Sequence, residues 1–193
     1  MSSHHCAVVV AYDFSRTGHA ALRRAATMAS HAQHYVLHVV CAVDPREAIP
    51  SIPSYDGIDY RYAARVQEAL ATAVQEELDI AAPTHPVSFF VHARIGKPAD
   101  EILEVAREIG ADLIIVGSHN LHGLERLILG SVSEKIVRNA QCSVEVARPK
   151  EYADVNLMPV VEVPPDNRTY VPPHRYEYED HRLLLRPAEW PLW

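Results

Sequence analysis

Five short, nearly unbroken apolar runs divide the first 148 residues of the chain, and the segments between them carry apolar residues at helical spacing. The runs are 7–11, 35–43, 87–93, 113–116 and 143–147. An apolar run this short and with so little alternation is the pattern of a strand buried on both faces. After the first run, Ser15 stands where a helix cap is needed, and Ala20, Ala21, Leu22, Ala25, Ala26, Met28 and Ala29 then recur with helical period. A second helix is expected over about 60–81, ended by Pro83. A third starts at Pro98, with Asp100 and Glu101 in its first turn and Gly110 as its left-handed cap. Ser131-Val132-Ser133-Glu134 reads as a capping box that opens a fourth. Strand and helix thus alternate four times and close on a fifth strand, for which the economical solution is an α/β fold: an open five-stranded parallel sheet with helices on both faces.

Composition bounds what such a domain can do. With 48% hydrophobic and 22% charged residues, the 193-residue chain can bury a sizeable core. A formal net charge of -7 provides no basic field for phosphodiester backbones, so nucleic acid is not expected as a partner. Cys6, Cys41 and Cys142 are odd in number and contain no Cys-x-x-Cys pair, which fits a reducing compartment. No stretch has the length of a membrane span and no signal peptide opens the chain, so the expected location is the cytoplasm.

The composition changes after the fifth strand. Residues 149–193 hold eight of the fourteen prolines, both tryptophans and four of the nine tyrosines, with no glycine. The expected organisation is therefore a domain over 1–149 and a C-terminal extension over 150–193. Proline density resists helix and central strand, while Tyr170, Tyr176, Tyr178, Trp190 and Trp193 provide anchors for packing. The extension is read as an arm lying on the domain or on a dimer partner, against the alternative of a disordered tail awaiting another protein.

In an open parallel sheet, ligands bind beyond the carboxyl ends of strands that send their helices to opposite faces. Asp13, just past the first run, has a carboxylate suited to a base or ribose, and on position alone it fits an ordinary helix-start aspartate as well. The stretch from Gly117 to Ser133 ends in a glycine, a helix N-terminus and two hydroxyls, the parts of a phosphate cradle. Neither a dinucleotide-binding Gly-x-Gly-x-x-Gly nor a P-loop is present. His4-His5-Cys6 and the pair His119 and His122 do not make a full ligand set, so no metal is expected. No nucleophile motif appears, and no catalytic residue is assigned.

Gly117-Ser118-His119-Asn120, nine residues, then Gly130-Ser131 resembles the signature of the universal stress protein family, and the match extends through Ile114-Ile115-Val116, Val132-Ser133-Glu134-Lys135-Ile136, Tyr12-Asp13 and Leu37-His38-Val39. The resemblance implies a sheet in the order 3-2-1-4-5 that binds ATP, with Mg2+ as its companion ion, where strands one and four part. It also implies a homodimer paired through the fifth strand; the arm lies outside the match and, from its aromatic content, is expected to add to that dimer. Carried over by position, Asp13 and the backbone near Val39 would meet the adenosine, while Gly117, His119, Asn120, Gly130, Ser131, Val132 and Ser133 would line the ribose and phosphates. Asn120 replaces the second glycine of the signature, so its side chain takes room a phosphate needs. Two readings follow: an ATP-binding regulatory protein in the stress response, with any hydrolysis slow, or a dimeric scaffold of the same fold that binds no nucleotide. An unidentified protein partner fits either.

Overall fold

Every strand of the first unit begins within one residue of the start of an apolar run, because residues with apolar neighbours on both sides gain most from a doubly covered sheet. The computed structural model describes residues 5–54, 56–118 and 130–149, together with the main chain of 175–179 and 182–186. The chain divides into two units, Met1–Lys150 and Glu151–Trp193. In the first, β1 (Cys6–Ala11), α1 (Arg16–His31), β2 (Tyr35–Val43), α2 (Tyr60–Ala81), β3 (Ser88–Ile95), α3 (Pro98–Ile109), β4 (Leu113–Gly117), α4 (Ser131–Asn139) and β5 (Ser143–Ala147) follow one another.

The five strands form one parallel sheet in the order β3-β2-β1-β4-β5. Alternate residues serve opposite layers. Val8, Val10, Leu37, Val39 and Cys41 join the core that includes Leu22 of α1 and Tyr62, Val66 and Leu70 of α2. Val9, Ala11 and Val40 join the core built with Ile102, Leu103 and Val105 of α3 and Ile136 of α4. Thus α1 leaves β1 for one face and α4 follows β4 on the other, which opens a crevice beyond the carboxyl ends of these two adjacent strands.

The caps mostly follow the local chemistry. Ser15 Oγ accepts a hydrogen bond from the Gly18 amide at 3.1 Å, and Asp59 caps α2 through the amides of Arg61 and Tyr62. Gly110 ends α3 at φ 62°. Two boundaries differ from expectation. β3 continues past Ala93 to Ile95, because its pairing with β2 runs on to Val43; the charged Arg94 that breaks the apolar run is tolerated on an edge strand. At α4 the capping box does not form. Gly130 is the N-cap, one residue ahead of Ser131; among the described residues no side chain caps this end, and the Glu134 carboxylate accepts from Arg138 instead.

In the second unit the described residues form one antiparallel hairpin, β6 (Arg175–Glu179) with β7 (Arg182–Arg186). Its signal in the sequence is the alternation Arg-Tyr-Glu-Tyr-Glu, overshadowed by the prolines around it. Tyr170, Trp190 and Trp193 lie outside the described residues.

Candidate functional site

A cavity of about 260 Å³ lies at the crevice between β1 and β4. Apolar residues Ala11, Ala42, Pro98, Ile102 and Val116 line it, together with polar groups of Tyr12, Asp13 and Thr17 and the segment Gly130 to Ser133, with Gly117 at the end of β4. Such a mixture of apolar lining and a few placed polar groups is what small-molecule sites require.

Close main-chain approach brings part of this lining together. A Cβ on Gly117 would lie 2.4 Å from the Thr17 carbonyl oxygen, and one on Gly18 would lie 2.4 Å from Asp13 Oδ1. Two glycines therefore let the first turn of α1 press onto the ends of β1 and β4. Phe14 holds the turn from the other side: it sits at φ 61°, a left-handed conformation that costs a non-glycine residue about 1–2 kcal/mol, and packs edge-on to Tyr12 at 4.9 Å. Asp13 Oδ1 accepts from the Ser15 amide at 3.0 Å and the Ser15 hydroxyl at 2.5 Å, so its carboxylate is fixed at the rim.

The start of α4 supplies the complementary charge. The first main-chain bond within the helix is Glu134 N to Gly130 O, which leaves the amides of Ser131, Val132 and Ser133 ahead of the intrahelical ladder. Among the described residues no side chain caps them, and the positive end of the helix dipole meets the cavity. Ser133 is buried, and its hydroxyl donates to the Gly117 carbonyl at 2.8 Å, tying α4 to β4. Ser131 is exposed.

Tyr12 and Cys41, both near the cavity, stay protonated at neutral pH. Burial, reinforced by the charges of Glu77 and Asp13, pushes the Tyr12 phenol well above its ordinary range; its hydroxyl meets His19 Nε2 at 3.0 Å. Burial and then the charge of Asp13 push the Cys41 thiol up to about 12. Cys41 lies in the core and is inert as a nucleophile. Among the described residues there is no group of three or more His, Cys, Asp or Glu side chains that could hold a metal.

Of the residues the sequence pointed to, Asp13, Gly117, Gly130, Ser131, Val132 and Ser133 come together around this cavity. The Val39 side chain is fully buried beneath α1 and α2; Ala42, three residues on, reaches the cavity. His119, Asn120 and His122 lie outside the described residues, as does His4. Thr17, Gly18, Phe14, Pro98 and Ile102 were not anticipated as site residues. A glycine in the first turn of α1 was their one local trace.

Residues 7–148 match the model of the universal stress protein family, which is most of the chain. The chain belongs to this family. A universal stress protein of Methanocaldococcus jannaschii is 34% identical over 145 residues, covering 73% of this chain and 81% of the relative. Among solved structures, the UspA universal stress protein from Lactobacillus plantarum has a TM-score of 0.56 at 23% identity, over 75% of this chain and 99% of that one. A universal stress protein solved in complex with cAMP has a TM-score of 0.52 at 23% identity, over 75% of this chain and 97% of its own. Both likenesses agree with the universal stress protein sheet, in the same 3-2-1-4-5 order, seen here. No helix among the described residues is long and apolar enough to cross a membrane.

Proposed function

We propose that this universal stress protein binds an adenine nucleotide, ATP with Mg2+ foremost, in the β1/β4 cavity and acts as a regulator through its occupancy. The observation that carries this reading is the start of α4, uncapped among the described residues: three amides and a helix dipole facing a cavity that apolar side chains also line. Phosphates suit the amides, a base suits Ala11, Ala42 and Ile102, and Asp13 offers a carboxylate to a ribose hydroxyl or to a hydrated cation. The cAMP held by a fold neighbour is in keeping with a nucleotide of this size.

The chemistry around the cavity favours holding over turning over. Tyr12 and Cys41 remain protonated, and the Asp13 carboxylate is engaged by the Ser15 amide and hydroxyl, so hydrolysis is expected to be slow. β5 is an edge of the sheet, and we place the homodimer contact there, antiparallel about a two-fold axis, with residues 150–193 adding to it. The three free cysteines suit a reducing cytoplasm.

Nucleotide extracted from freshly purified protein and identified by chromatography tests the reading, together with titration by ATP, Mg-ATP, AMP and cAMP. Co-purified ATP or ADP, or saturable binding to one of these, is the expected result. An empty protein that ignores about millimolar Mg-ATP, well above ordinary nucleotide affinities, overturns it in favour of a scaffold without ligand.

A further inference from the structure

The hairpin β6/β7 carries a charge order that distinguishes its two edges. Along β6 the charged residues run Arg175, Glu177, Glu179; along β7 they are Arg182 and Arg186. Residues directly opposite in an antiparallel pair share a face, so the register puts Tyr176, Tyr178, Leu183 and Leu185 on one face. It also sets Arg175 opposite Arg186, a like-charge pair that weakens the hairpin. Two strands alone are marginal in water, and among the described residues this sheet has only two.

Self-pairing that keeps both tyrosine faces on one side of the sheet is antiparallel, and only registers that preserve residue parity do so. For β6, the register centred on Glu177 overlaps all five residues. It sets Arg175 opposite the partner's Glu179, twice, and Tyr176 opposite the partner's Tyr178, twice; only Glu177 meets its own counterpart. The same operation on β7 sets Arg182 opposite the partner's Arg186, twice. On the β6 edge two opposite-charge pairs outweigh the single like-charge pair of Glu177 with its counterpart, whereas the β7 edge has only like-charge pairs.

We propose that the C-terminal hairpin is a self-association element in which β6 pairs antiparallel with the β6 of a second copy, centred on Glu177, to make a four-stranded sheet. Arg175 gains the carboxylate that its hairpin neighbour Arg186 does not offer. The pairing uses neither the cavity nor β5. It deepens the reading of the extension as part of the assembly, and its test reports on position 177 alone, so its failure leaves the β5 contact to be judged by other means.

In the full-length chain carrying Glu177→Cys, mild oxidation is expected to join two copies through position 177, since opposite residues across antiparallel strands have Cα atoms about 4.5–5.5 Å apart, within disulfide reach. Glu179→Cys, whose counterpart would lie about 14 Å away, is expected not to cross-link. Peptide mapping separates this bridge from any made by Cys6, Cys41 or Cys142. Adding Arg175→Glu to the Glu177→Cys chain is expected to lower the yield about tenfold, because two attractive pairs become repulsive. That change also puts opposite charges at the paired positions 175 and 186, so the loss does not reflect a weakened hairpin. Further adding Glu179→Arg restores the yield. No bridge at 177, equal bridging at 177 and 179, or a yield indifferent to Arg175→Glu would overturn the proposal.

Discussion

Gly117 lies against the main chain of Thr17 so closely that a Cβ at position 117 would come within 2.4 Å of the Thr17 carbonyl oxygen and 2.6 Å of its carbon. The obstacle is backbone, which cannot swing aside as a side chain would. Gly117→Ala is therefore expected to push the first turn of α1 off the end of β4, at a cost of about 1–3 kcal/mol typical of overpacking. Urea denaturation measures it, and a midpoint equal to wild type would show that the contact is not tight.

Ser133 and Ser131 separate structure from binding. Ser133→Ala removes a buried hydroxyl that donates to the Gly117 carbonyl, and a loss of about 0.5–1.5 kcal/mol is expected. Ser131 is exposed, so Ser131→Ala is expected to shift stability by less than about 0.5 kcal/mol. If the cavity takes phosphates, Ser131→Ala lowers nucleotide affinity without this loss of stability. Paired denaturation and titration experiments distinguish the two serines.

Gly130→Val tests the cradle itself. Gly130 has φ -60° and ψ 153°, a conformation open to any residue, so the fold is expected to persist with about 1 kcal/mol or less lost at the N-cap. A branched side chain next to the uncapped amides is expected to abolish nucleotide binding. A folded variant with wild-type affinity would place the phosphates elsewhere.

A pH dependence is built into the β2/β3 edge. His38 Nδ1 and His92 Nε2 stand 3.1 Å apart, so one ring donates and the other accepts, and the bond does not survive protonation of both. Burial, with each pair's surroundings adding the charge of the other imidazole at His38 and of Arg94 at His92, lowers both pKa values; Glu108 opposes the shift at His92. Phe90 stacks on His38 at 4.8 Å. With folded values below the unfolded one, the unfolded chain binds more protons as pH falls through about 6.5, and stability is lost there. The urea midpoint is expected to be lower at about pH 5.5 than at about pH 7.5, and the double variant His38→Asn, His92→Gln is expected to flatten that fall. An equal fall in the variant would assign it to other groups.

Local patterns made much of this protein legible. The apolar run 35–43 is β2 as observed, and 60–81 is α2, because burial on both faces or on one helical stripe leaves its period in neighbouring residues. The family signature likewise located Gly117 and the start of α4, since a glycine and a helix start are short-range features. Glu134 was misleading for the same reason: its spacing from Ser131 fits a capping box, but α4 starts one residue earlier with Gly130 as N-cap, and the Glu134 carboxylate accepts from Arg138 instead. The hairpin at 175–186 escaped notice because the surrounding proline density argued against strand and outweighed the Arg-Tyr-Glu-Tyr-Glu alternation of β6.

The sequence by itself determined the elements, their order, the parallel sheet and the two strands whose ends bear the site. Tertiary structure decided which groups meet: Thr17 against Gly117, Ser133 on the Gly117 carbonyl, His38 beside His92, and Ile102 lining one cavity with Ala42. Secondary structure depends on a residue's near neighbours and so is written in local period. These contacts join segments that become neighbours only when strands are laid side by side and helices are packed on their two faces, and residues far apart in the chain carry no local mark of the partners they will find.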